Sequence, residues 1–107
     1  MELDKMQDCP VMDTIRAIGG KWKPRILWHL RNGAATFGEL HRIVGISEKV
    51  LQENLRALQR DGLLSRTPYK EGSVEFVKYD YTDYGRTLIP VLNAVGMWGL
   101  LHKTRSA

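Results

Sequence analysis

Apolar residues recur along most of this chain at the three-and-four spacing of helices, and in two stretches at the shorter spacing of strands. Val11, Ile15 and Ile18 share one face between Cys9-Pro10 and Gly19-Gly20, which predicts a first helix over 9–18 with Pro10 in its first turn. Trp22, Ile26, Leu27 and Leu30 predict a second helix from about Lys21 to Arg31, ended by Asn32-Gly33, with Pro24 early enough to do little harm. Phe37, Leu40 and Val44 predict a third. Thr36 before it and Glu39 three residues later form a capping box, in which each side chain satisfies an otherwise unpaired amide of the first turn. Gly45-Ile46 breaks that helix and Ser47 caps a fourth, whose Leu51, Leu55 and Leu58 make a single apolar stripe. Gly62 suits the left-handed residue that closes it.

Leu63–Thr67 and Val74–Tyr81 are rich in apolar, aromatic and β-branched residues, and Lys70-Glu71-Gly72-Ser73 between them is turn chemistry, so a hairpin is expected. Thr82 caps a last helix, Asp83 to His102, in which Pro90 should cause a bend. Leu88, Val91, Leu92, Val95, Trp98, Leu100 and Leu101 give that helix more apolar surface than a small domain can cover. It is therefore expected to pack, with the first helix, against a second copy of the chain.

Two short helices joined by a glycine turn and followed by a hairpin describe a winged helix-turn-helix. The fold class expected is α+β and mostly helical: one domain over 1–107, with the helix-turn-helix at 37–61, a two-stranded wing at 63–81, and dimerisation helices at 9–18 and 83–102. In this motif the second helix enters the major groove by its N-terminus. Ser47, Glu48, Lys49 and Gln52 are thus the candidates for base or phosphate contact, with Arg56 placed for the phosphate backbone. Glu48 and Glu53 on the same helix must face a cytosine amine, water or a neighbouring cation. Thr36 and His41 on the preceding helix, and Tyr69, Lys70 and Lys78 on the wing, complete the candidate surface. For Lys70 and Lys78, solvation of an exposed hairpin explains their presence equally well.

Charge adds to this picture through its distribution. The net charge is +4; residues 1–15 carry −3, whereas residues 16–66 hold ten Lys and Arg against Glu39, Glu48, Glu53 and Asp61, a net of +6. The basic half is the half with the helix-turn-helix, as a polyanion partner requires. One cysteine excludes an internal disulfide framework. The sequence has no long apolar run and no visible signal peptide, so a cytoplasmic protein with no membrane partner is expected. His29, His41 and His102 are scattered, with no nucleophile signature, phosphate loop or metal-ligand spacing, so neither an enzyme nor a cofactor or metal is expected.

Several blocks resemble the HxlR-type winged helix regulators: Gly19-Gly20-Lys21-Trp22, Phe37-Gly38-Glu39-Leu40, Gly45 to Leu51, Leu58 to Leu63, Tyr79 to Gly85, and Trp98-Gly99. The resemblance runs from Cys9 to Trp98. It implies homodimeric bacterial transcription factors, repressors or activators, whose first and last helices build the dimer and whose recognition helix corresponds to Ser47–Asp61. Many such proteins carry a cysteine before a proline at the head of the first helix, as Cys9-Pro10 does, and in several that thiol senses electrophiles or oxidants. The wing departs from the family pattern: Gly72-Ser73-Val74-Glu75-Phe76 stands where prolines are frequent.

Cys9 at a helix N-terminus gains from the helix dipole as a thiolate, while Asp8 and Asp13 oppose an anion; a small residue at a helix start is the plainer reading. The sequence thus leads to a homodimeric regulator that binds an inverted repeat in double-stranded DNA, with Cys9 as the candidate sensor of a small electrophile or oxidant. Two alternatives remain open. One is a winged helix used for protein or RNA binding; the other is a regulator gated by a small molecule held near Trp22, Trp28 and Trp98.

Overall fold

The computed structural model describes residues 9–106. The elements in chain order are α1 (Pro10–Ile18), α2 (Lys23–Leu30), β1 (Ala35–Thr36), α3 (Phe37–Val44), α4 (Glu48–Arg60), β2 (Leu64–Glu71), β3 (Val74–Tyr81), α5 (Asp83–Arg86) and α6 (Ile89–Ser106). One antiparallel sheet has the order β1-β3-β2. Its base closes one side of a core into which α2, α3 and α4 place Ile26, Leu27, Leu30, Leu40, Leu51, Leu55 and Leu58, all buried.

The caps expected from sequence are formed. Thr36 Oγ1 accepts from the Glu39 amide at 3.1 Å, and the Thr36 amide donates to Glu39 Oε1 at 3.4 Å. Ser47 Oγ accepts from the Val50 amide at 3.2 Å. At the far end of α4, Gly62 adopts φ +75°. Its amide donates to the Gln59 carbonyl at 2.9 Å, and the Leu63 amide to the Leu58 carbonyl at 3.0 Å. Those two bonds form a Schellman turn, which satisfies the last carbonyls of α4 and aims the chain into β2.

Four expectations need correction. The second helix is shorter than expected, Lys23–Leu30, with Trp22 as its N-cap. The first wing strand runs on to Glu71, so only Gly72-Ser73 turn, with Gly72 at φ +61°. Pro68 within it is tolerated because β2 is an edge strand, bonded only to β3. The sheet also has a third strand: Ala35 and Thr36 pair with Tyr79 and Lys78. Last, the helix expected over 83–102 is two helices. Thr82 caps only α5, through a 2.9 Å bond from the Gly85 amide, and Thr87-Leu88 form a turn. Pro90 lacks the amide a continuous helix would need there, so it lies in the first turn of a new helix, where that loss is harmless, and does not bend an existing one.

Tyr81 ties the wing to α2, its hydroxyl donating to the buried Leu27 carbonyl. Burial pushes the phenol up to about 12 from 10.0, with the charge of Arg31 opposing and that of Asp80 adding. The folded state therefore holds this proton where an unfolded chain has released it. The stabilisation is complete below pH 10 and is lost as pH rises from there towards about 12. Tyr81→Phe should lose about 1 kcal/mol at neutral pH with the hydrogen bond, and should show a flatter loss of stability across that alkaline window. Urea titrations of both proteins at several alkaline pH values check this, and parallel pH profiles would refute it.

Candidate nucleic-acid interface

The buried Leu51, Leu55 and Leu58 fix which way α4 faces. With that stripe inward, Lys49, Glu53, Arg56 and Arg60 stand exposed on the opposite side, with Ser47 and Glu48 exposed at the N-terminal end. Gln52 is half-buried at the edge of the stripe. Asn54 is turned back on its own helix, its Nδ2 donating to the Val50 carbonyl at 2.8 Å. The glycine turn between α3 and α4 is held by Gly45 at φ +73°, whose amide bonds the His41 carbonyl at 3.1 Å.

The other expected residues are spread more widely. Thr36 and Ser47 each use an oxygen lone pair in a cap, so their first role is to build the helix ends. His41 lies half-buried with its ring parallel to Phe37, centroids 6.3 Å apart. On the wing, directly opposed residues share a face and successive residues alternate. Lys70 opposes Glu75 and Thr67 opposes Lys78, so the two lysines point to opposite faces of the ribbon. Lys70 is paired with Glu75 at 3.5 Å in solvent, and Lys78 lies 4.8 Å from the centroid of the Tyr69 ring, itself stacked on Phe76. Cys9 is exposed as the N-cap of α1, and its side chain makes no capping bond.

The structure adds two cations to the surface foreseen from sequence. Arg60 follows Arg56 by one turn on the outward face of α4, a position legible from helical spacing. Arg66 opposes the buried Tyr79 and therefore lies on the wing face that turns towards the helices. It shares with Gln52, Phe37, Gly38, Val77 and Tyr79 a cleft of about 360 Å³ between α4, the start of α3 and the wing. The alternation from Leu64 would have put Arg66 on that face.

The description "HxlR-like helix-turn-helix" matches residues 17–107. The chain belongs to the HxlR family. It is similar to the uncharacterized HTH-type transcriptional regulator YdeP of Bacillus subtilis, 40% identical over 103 residues that cover 95% of this chain and 80% of YdeP. Among solved structures it resembles the redox regulator HypR in its reduced form, with a TM-score of 0.81, 36% identity, and coverage of 88% of this chain and 93% of HypR. The oxidized form of HypR gives a TM-score of 0.77 and 38% identity, covering 85% of this chain and 94% of that one. The HxlR-family chain is thus a DNA-binding transcriptional regulator of the helix-turn-helix type and not an enzyme. Among its described residues, no cluster of His, Cys, Asp and Glu could hold a metal, and no helix is long and apolar enough to cross a membrane.

Proposed function

We infer that the protein acts as a homodimer on an inverted-repeat operator, inserting α4 of each protomer into the major groove. The observation that carries this reading is the outward row of Lys49, Arg56 and Arg60 on a helix anchored by three buried leucines, with the wing beside it. A two-fold dimer would set two such helices about 34–36 Å apart, one turn of duplex. The exposed apolar faces of α1 and α6 supply the surface for it: Val11 and Ile15 on one, Val95, Trp98 and Leu101 on the other.

Fluorescence anisotropy against the DNA upstream of its own gene and a scrambled duplex, across a salt series, tests the reading. Specific binding should survive near-physiological salt, with log K falling by about 0.9 per phosphate contacted against log salt. Lys49→Ala and Arg56→Ala should each weaken binding by about three- to tenfold, whereas Gln52→Ala should change base preference more than overall affinity. Unchanged affinity in both charge variants would mean that α4 is not the reading helix. Equal, salt-labile binding to both duplexes would favour protein or RNA recognition.

Cys9 is the proposed signal input, as a thiol that loses DNA affinity or changes it on modification. Its exposure supports this, as does the pairing of its acidic neighbour Asp13 with Arg16 at 3.0 Å. Asp8 lies outside the described residues. The likeness to a protein described as a redox regulator points the same way. Oxidation by diamide would join two Cys9 thiols from two protomers, with two protons and two electrons passing to the diazene. If mapping after mild diamide or quinone leaves Cys9 unmodified and operator affinity unchanged, the sensor role is excluded.

A further inference from the structure

We propose that Arg66, at the foot of the wing, grips a backbone phosphate of the duplex in the cleft it shares with Gln52, and that the lysines nearer the wing tip contribute little. The proposal rests on the DNA reading of α4 and deepens it. Its first support is placement. The cleft brings together a base-reading candidate on α4, the start of α3 and one guanidinium, so a DNA strand following Gln52 out of the major groove would meet Arg66 next.

The second support is charge. Glu75 lines the same cleft, but Lys70 pairs with it at 3.5 Å. That pair offsets itself and leaves Arg66 as the basic residue among those lining the cleft. Lys78 points to the other face of the ribbon, where it lies over Tyr69. The third support is rigidity. Arg66 is opposed by the fully buried Tyr79 and is two residues from the buried Leu64, so its backbone is held by the core, whereas Lys70 lies next to the hairpin turn. A planar, fixed fork of donors on a stiff strand loses less freedom when it binds phosphate than a lysine near a hairpin tip.

Gly38 adds a steric prediction. A Cβ there would meet nothing closer than Thr36 Oγ1, at 3.9 Å, so alanine fits the folded protein. It would nevertheless project a methyl group among the residues lining the cleft and crowd a strand lying there.

The test uses the full chain and two labelled duplexes, the DNA upstream of its gene and a scrambled sequence of equal length, in anisotropy titrations across a salt series. Arg66→Ala should lower affinity for both duplexes by about tenfold and reduce the salt slope by about 1, because a phosphate contact carries no sequence information. Arg66→Lys should restore part of the affinity and the full slope. Lys70→Ala and Lys78→Ala should stay within about twofold of wild type. Gly38→Ala should weaken binding with its thermal melt undiminished, which keeps the test valid if an Arg66 variant folds poorly. Wild-type affinity and slope in both Arg66→Ala and Gly38→Ala, alongside losses in Lys49→Ala and Arg56→Ala, would overturn the Arg66 assignment and leave the α4 reading intact. No loss in any of the four would overturn both.

Discussion

Gly85→Ala is expected to cost the domain about 4 kcal/mol, a large share of the stability of a chain this size. Gly85 lies in α5, packed directly on the segment that leads from α4 into the wing. A Cβ at this position would overlap the Leu63 carbonyl oxygen and lie 2.9 Å from its carbon, both backbone atoms that cannot swing aside. The same carbonyl accepts from the Thr82 amide at 3.1 Å, while the Leu63 amide closes the Schellman turn of α4. Moving Leu63 to admit a methyl group would therefore loosen three things together: the end of α4, the start of β2 and the cap of α5. The φ of Gly85 is not in the left-handed region, so the penalty is steric and every larger residue should share it. Urea unfolding followed by circular dichroism measures the effect. A midpoint near that of wild type would show that α5 can shift freely, and Gly38→Ala, with open space around it, serves as the tolerated control.

How far the fold could be read in advance depended on whether an element is specified locally. The capping box at Thr36 and Glu39, the Ser47 cap, the helix break at Gly45, the left-handed Gly62 and the stripe of Leu51, Leu55 and Leu58 all act within one or two turns, and each forms where the spacing placed it. β1 could not be found that way. Ala35 and Thr36 carry no strand pattern and become a strand only because β3, about forty residues later in the chain, pairs with them. The extension of β2 past Thr67 was hidden for a related reason, since it runs through Pro68, which a strand tolerates at a sheet edge, and edge position is a property of the whole sheet. The candidate site divides in the same manner. The polar face of α4 follows from helical period, whereas the wing residues depend on which face each one takes. Composition alone ranks Lys70, Lys78 and Arg66 alike as cations in a hairpin. The register separates them, pairing Arg66 with a core tyrosine and leaving Lys70 and Lys78 on opposite faces.

The proposed dimer provides the other large effect. Trp98→Glu combined with Leu101→Glu is expected to yield a folded monomer whose operator affinity is lower by two or more orders of magnitude. Both side chains are about two-thirds exposed on the isolated chain, and the contact Trp98 makes is a stack on the exposed ring of His102, centroids 5.0 Å apart, so their replacement leaves the buried core intact. They lie with Val91, Val95, Met97 and Leu100 on a helix in which, among the described residues, Leu92 is the one that is buried, and α1 likewise exposes Val11, Met12 and Ile15. So many large apolar side chains left exposed are unusual on a protein that works alone, and covering them with a symmetry copy leaves no edge for further growth. Placing two carboxylates there makes self-association repulsive as well as less apolar. The loss of affinity follows from linkage: once one α4 is seated, the second meets its half-site at an effective concentration of order millimolar, and a monomer forfeits that gain of about 10²–10⁴. Sedimentation velocity gives the assembly state, circular dichroism the fold, and anisotropy the affinity for a duplex with both half-sites and for one with a single half-site. The double variant should bind the two duplexes equally, while wild type should prefer the full site. A wild-type protein that sediments as a monomer at tens of micromolar would end the dimer reading. A double variant that stays dimeric would place the interface on another surface.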